Sequence, residues 1–296
     1  MASYPHLRAL LCLVDDNSPI VFNAVHQKLL EYGESFWKDF HAGRLPAIPT
    51  PEQAPALLHH RLLFCKRQLS NEWMKRTNSY RGAYDRMEFE LSLLSRYFHQ
   101  DEAWYHPLTE MLDELSAGYK AQLAGREADE ISLAEYLFDY ENGQLNAPRV
   151  LHPNWQYCEP AWVIQHKTGT PLALSLIYLM VGARFDLALE ASVFPGHCYV
   201  RFLTAGIDNE PLYVDAFNFG RIMRHNDILH QAAGPDWCIL SQMLNAKQGV
   251  TTLLARTVRQ LAEARAKYYN EEDQQFLIEL MERLLETNSP RHYSIQ

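Results

Sequence analysis

The sequence predicts an α+β fold, mainly helical with a small β region in its second half, on three observations. Apolar residues recur at helical spacing through the first part of the chain. A nearly unbroken apolar run, Leu172–Ala183, is followed by two runs of β-type residues, His197–Phe202 and Leu212–Phe217. After Asn226 the helical pattern returns.

The elements follow in order. Leu7–Val14 and Ile20–Leu30 both read as helices. Between them Asp15–Pro19 supplies an N-cap, Ser18, and a first-turn proline, and Gly33 closes the second helix. This arrangement resembles a single HEAT-type unit; one unit cannot build a solenoid, so it is expected to cap a domain. His41–Ala54, with three prolines, is the linker candidate. Thr50-Pro-Glu-Gln53 restarts a helix as a capping box, and Ser132-Leu-Ala-Glu135 is a second box before the Asn142-Gly143 turn. Thr170 is placed to N-cap the apolar helix, with Pro171 as its first residue, where a missing N–H costs nothing. Thr251–Tyr269 and Asp273–Glu286 form a helical hairpin that looks like one truncated tetratricopeptide-type unit. The expected organisation is an all-α N-terminal region over 1–130, a core over 131–245 and a C-terminal helical hairpin over 246–296.

Composition excludes several function classes. The 296 residues carry 27 basic and 36 acidic side chains, a net charge of −9, which argues against nonspecific nucleic-acid binding. No apolar run reaches the ~18 residues of a membrane span, and Met1–Arg8 lacks the pattern of a secretory leader. Five scattered cysteines without CxxC spacing are the usage of a reducing cytoplasm. There is no phosphate-cradling Gly loop, Ser nucleophile elbow or paired-carboxylate signature. Asp15-Asp16-Asn17 lacks the Gly and Glu of a calcium loop. His59-His60 and His225 with His230 have poor ligand spacing and read as solvated surface. No metal and no cofactor is expected.

The two β-type runs carry the chemistry. Facing residues of an antiparallel pair have a constant number sum. The turn-rich loop Thr204–Glu210, centred near Gly206 and Ile207, sets that sum at about 413. His197 and Asp215 sum to 412, which makes them neighbours within a register error of a residue or two. Alternation puts His197, Tyr199 and Arg201 on one face, with Cys198, Val200 and Phe202 on the other. A His oriented by an Asp, beside a nucleophile on a helix N-terminus, is the arrangement of thiol hydrolases and transglutaminases. A Cys in the first turn of the apolar helix would be activated by the helix dipole and the imidazole. That position holds Pro171.

The motifs together resemble the SirB-type branch of the transglutaminase-like superfamily. The shared pattern is Lys167, Gly169, Pro171, Leu174 and Ser175 at the helix start, then Pro195, Gly196 and His197, then Asp215, Phe217 and Gly220. The similarity runs over roughly residues 88 to 225. It implies a transglutaminase-like, papain-related α+β core, and the superfamily's nucleophilic Cys maps onto Pro171. The chain departs from its relatives at Asn142–Ala147, where they carry Gly-Phe-x-Gly-Asn, and at Tyr157-Cys-Glu-Pro160, where they carry Asn-Ser-x-Leu.

Two functions follow. The first is a non-catalytic or weakly catalytic module whose cleft, lined by Gly169, Thr170, Pro171, Pro195, Gly196 and Phe217, binds a protein or peptide in the cytoplasm. His197 and Asp215 are then a vestigial pair. The second is an acyl-transfer enzyme of cysteine-protease, amidase or transglutaminase type with a relocated nucleophile, Cys158 or Ser175. His197 is then its base and Asp215 the orienting carboxylate. The bland alternatives are a Ser175 satisfied by backbone, a small buried Cys158, a Thr170 hydroxyl occupied as a cap and a Cys198 in the core. No nucleic acid and no membrane is expected as a partner.

Overall fold

Proline, glycine and capping residues set most of the helix ends. The computed structural model describes residues 4–73, 82–148, 154–203, 210–231, 236–266 and 271–286. The chain divides into two compact units, Met1–Lys75 and Arg76–Gln296.

The first unit holds α1 (Leu7–Leu11), α2 (Pro19–His41) and α3 (Gln53–Trp73). Pro19 opens α2 behind its N-cap Ser18, whose own N–H donates to Asp16 Oδ1 at 2.7 Å. Gly33, with φ +70°, breaks the helical run of α2, and a further helical stretch carries on to His41. Thr50 and Gln53 cap α3 reciprocally, side chain to backbone, at 2.9 and 3.4 Å. Phe36, Trp37 and Leu57 are fully buried between α2 and α3. His60, expected at the surface, is buried with its Nδ1 3.3 Å from Nδ1 of His26, while His59 is exposed. Adjacent helical residues point about 100° apart, so one faces inward and one out. Burial, with the His26 and His59 charges, pushes the His60 imidazole down to about 4.

The second unit is built on one apolar helix. Its helices are α4 (Ala83–His99), α5 (Leu108–Leu123), α6 (Glu130–Phe138), α7 (Pro160–His166) and α8 (Pro171–Ala183), with a 3-10 turn at Trp155–Cys158. Strands β1 (Leu189–Phe194), β2 (His197–Phe202), β3 (Leu212–Asp215) and β4 (Arg221–Arg224) follow, then α9 (His225–Gln231), α10 (Trp237–Asn245), α11 (Val250–Ala266) and α12 (Glu271–Glu286). Every residue of α8 from Leu172 to Gly182 is buried, as an all-round apolar sequence requires. Each fully buried Leu or Ile contributes about 1.5–3 kcal/mol, so α8 anchors the unit. It packs against α4 to α7 and against β1 and β2. The Ser132 box of the sequence reading is displaced by three residues. Asp129 caps α6, accepting the Ile131 and Ser132 N–H groups at 3.0 and 2.9 Å, because its carboxylate outcompetes the Ser132 hydroxyl, which donates to it.

The sheet is antiparallel in the order β1-β2-β3-β4. Its Cys198–Val200–Phe202 face lies against α8. On the other face Tyr199, Tyr213 and Met223 join Ile228, Leu229 and Leu244 of α9 and α10 in one core. The described elements thus make an α+β fold with one small sheet. No helix among the described residues is long and apolar enough to cross a membrane.

Candidate functional site

The approach to α8 is held by backbone bonds that only a small residue permits. The Asn146 N–H donates to the Lys167 carbonyl at 2.9 Å, the Gly169 N–H to Asn146 at 3.2 Å, and the Thr170 N–H to Tyr157 at 2.8 Å. A Cβ on Gly169 would stand 2.7 and 2.8 Å from the Val163 methyls. Thr170 then caps the helix, its Oγ1 accepting the Ala173 N–H at 3.4 Å, and Pro171 takes the first helical position. That occupied cap leaves the Thr170 hydroxyl no role as an attacking group.

His197 reaches the same place from the sheet. Phe194 pairs with His197 across the Pro195-Gly196 turn, and Gly196 has φ +71°. Pro followed by a positive-φ glycine is the central pair of a type II turn. The β2–β3 ladder pairs Val200 with Val214, a facing sum of 414. His197 and Asp215 are therefore offset by one diagonal, and still on one face. The imidazole spans it: Nε2 and Asp215 Oδ1 are 2.7 Å apart.

Asp215 is 2 % exposed and saturated with donors. It accepts the Phe217 and Asn218 N–H groups at 3.2 and 3.1 Å and the Asn218 side-chain amide at 2.6 Å. Burial pushes the carboxyl up, but the bonds from His197 and Asn218 outweigh it and hold Asp215 below the usual carboxylate range. Tyr199 flanks the imidazole at 4.5 Å and Phe217 stands edge-on at 6.0 Å. Burial and the Asp215 charge push the Tyr199 phenol up to about 12.

The other candidates point elsewhere. The Ser175 hydroxyl donates to the Cys198 carbonyl at 3.0 Å and is fully buried. Burial pushes the Cys198 thiol up to about 11, against a smaller opposing effect of Ser175. Cys158, in the 3-10 turn, is likewise pushed up to about 11 by burial, with Thr170 beside it working the other way. Among the described residues, no Ser, Thr or Cys hydrogen-bonds to His197. His225 bridges the Tyr213 hydroxyl and Ser241 Oγ at 3.2 and 2.9 Å, and His230 stands edge-on to Trp237. Both serve the packing of α9 and α10.

A cleft of about 260 Å³ opens in front of His197. Pro171 and Leu172 form one wall and Val193, Phe194, Gly196, His197 and Cys198 another. The third is α11, through Arg256, Arg259, Gln260 and Glu263. By its sequence α11 belongs to the C-terminal hairpin, yet in the fold it forms this wall. Its signal was present: those four residues fall at the i, i+3, i+4, i+7 spacing of one helix face, on a helix whose Leu253, Leu254, Val258, Leu261 and Ala262 are buried.

A second polar cluster gathers around Glu159, in the Tyr157–Pro160 segment. Glu159, fully buried, caps α7 by accepting the Ala161 and Trp162 N–H groups at 3.1 and 2.7 Å, and it accepts the Ser95 hydroxyl. Nε2 of the fully buried His99 lies 3.1 Å from Glu159 Oε2. Nδ1 of His99 meets Glu102 Oε1 at 3.0 Å, and the ring stacks on Trp155. Burial works against the charged imidazole, but Glu159 and Glu102 prevail and raise His99 above its usual value.

A family model described as the transglutaminase-like superfamily matches residues 102–259, more than half of the chain. The match begins in the approach to α5 and ends on α11, so it includes Arg256 and Arg259. Searches of curated proteins and of solved structures each found no match.

Proposed function

Because the chain belongs to the transglutaminase-like superfamily, we propose that it is a SirB-type, papain-related member whose cleft binds a protein or peptide segment with little or no catalysis. The observation that carries this reading is Pro171 at the first helical position of α8, the position onto which the resemblance maps the superfamily's nucleophile. A proline ring has no atom to attack with. The remaining hydroxyls and thiols are poor replacements. The Ser175 proton is committed to Cys198, and a thiol at about 11 is ionised roughly one part in a thousand at pH 8. The five cysteines are all free, which supports a reducing, cytoplasmic setting.

His197 keeps a use in such a module. Its Nε2 is held by Asp215, and Nδ1 has no hydrogen-bond partner among the described residues. Set in the cleft wall, that nitrogen can hydrogen-bond a peptide group, and its fixed ring shapes the floor. The intact His197–Asp215 pair is also what favours the second reading, an acyl-transfer enzyme with Cys158 or Ser175 as nucleophile.

Purified full-length protein separates the two. Iodoacetamide at pH 8 should label the exposed Cys12 and Cys238 rapidly and leave Cys158 and Cys198 unlabelled. Any turnover of pooled N-acetyl tripeptide amides should be the same in wild type and His197→Ala. Rapid labelling of Cys158 together with turnover abolished by His197→Ala would establish the enzyme instead. For binding, the same tripeptides should bind wild type but not Gln260→Trp, which fills the cleft, with circular dichroism confirming that the variant is folded. Equal binding by both would sink the peptide-cleft reading.

A further inference from the structure

The third wall of the cleft carries two arginines. Arg256 and Arg259 both line it, one helical turn apart, and neither has an ion-pair partner among the described residues. The chain carries a net charge of −9, so two unpaired guanidinium groups in one concavity are against its trend. Gln260 lies on the same face of α11 and lines the same wall. Glu263, one turn beyond Arg259, gives the wall a direction. Arg256 stands at the end where its charge acts on Cys198, and Glu263 at the end where its charge acts on Cys158.

We infer that the cleft reads the free C-terminal carboxylate of a polypeptide. The carboxylate sits on Arg256 and Arg259, whose planar forks match its two oxygens. The terminal side chain enters the apolar pocket of Pro171, Leu172, Val193 and Phe194, and the chain leaves toward Glu263. At about 260 Å³ the cleft lies at the small end of ligand pockets, which suits the last residues of a chain rather than a long segment. This assignment rests on the cleft being a peptide-binding site.

Three probes test it by calorimetry on the full chain: N-acetyl-Ala-Leu with a free carboxylate, its C-terminal amide, and N-acetyl-Asp-Leu amide, which carries the carboxylate on a side chain. The free acid should bind about ten-fold tighter than either amide. That preference should disappear in the Arg256→Gln/Arg259→Gln double variant, whose substitutions are at exposed positions, and should weaken with salt. Equal binding of acid and amide, an equal or tighter Asp-Leu amide, or a preference that survives in the double variant overturns the assignment. The Gln260→Trp variant separates that failure from failure of the site. If all three probes bind alike and Gln260→Trp abolishes them, the peptide cleft stands and only carboxylate recognition is lost. If none binds wild type, both readings fall.

Discussion

Asp215 holds His197 across a diagonal of the sheet. With Val200 facing Val214, the register carried one step places Asp215 opposite Tyr199, and the imidazole leans along β2 to reach it at 2.7 Å. Tyr199 lies between them on the same face and covers the pair from the α9–α10 side. Diagonal neighbours have Cα atoms about 7–8 Å apart, a gap an imidazole can span and a Ser could not.

The depressed Asp215 carboxyl makes the pair a source of stability at neutral pH. A group whose value is lowered on folding stabilises above its unfolded value, and that contribution is lost as pH falls through the folded one. Asp215→Asn should cost about 2 kcal/mol at pH 7. The gap from wild type should close as pH drops below the ordinary carboxylate value of 3.8. Urea unfolding of both proteins from pH 7 to pH 3 measures it. A gap independent of pH would show that the carboxylate charge contributes nothing.

His99 should produce the opposite slope. Its value is raised on folding, so its contribution is complete below the unfolded value of 6.5 and is lost as pH rises through the folded one. His99→Gln removes the cation beside the fully buried Glu159 and should cost about 3 kcal/mol or more at pH 6. The deficit should shrink toward pH 9, as wild type surrenders its own proton. Thermal midpoints of both proteins across that range decide it; parallel curves would mean that His99 is neutral in the folded protein.

Gly169 should tolerate no side chain while Val163 is opposite. Gly169→Ala places a methyl against the Val163 methyls and should cost about 1–3 kcal/mol as overpacking. In the double variant Gly169→Ala/Val163→Ala the new methyl has room, so the two costs should fall short of additivity by about 1 kcal/mol. Strict additivity in urea unfolding would show that the two residues are not in contact.

Much of the site was legible because its parts are local. Thr170 and Pro171 mark a helix start by their own hydrogen-bonding and φ preferences, and Leu172–Ala183 announces burial by having no polar face. His197 and Asp215 could be brought together by counting across one loop, since antiparallel register depends only on where the chain turns. The Ser132 box failed because a local rule met a stronger local competitor, the Asp129 carboxylate. Strands β1 and β4 are absent from the sequence pattern that marks β2 and β3, and β4, with an arginine at each end, pairs only because β3 lies beside it.

The sequence by itself determined the starts of α2, α3 and α8, the all-round apolar character of α8, the juxtaposition of His197 with Asp215 and the proline on the first turn of α8, all features carried by residues close in the chain. Only the tertiary structure decided that Ser175 gives its proton to the Cys198 carbonyl, that Cys158 and Cys198 are buried, and that α11 closes the cleft with Arg256, Arg259 and Gln260. Those facts depend on which surfaces pack together, and packing is set by the summed burial of distant segments that no local pattern encodes.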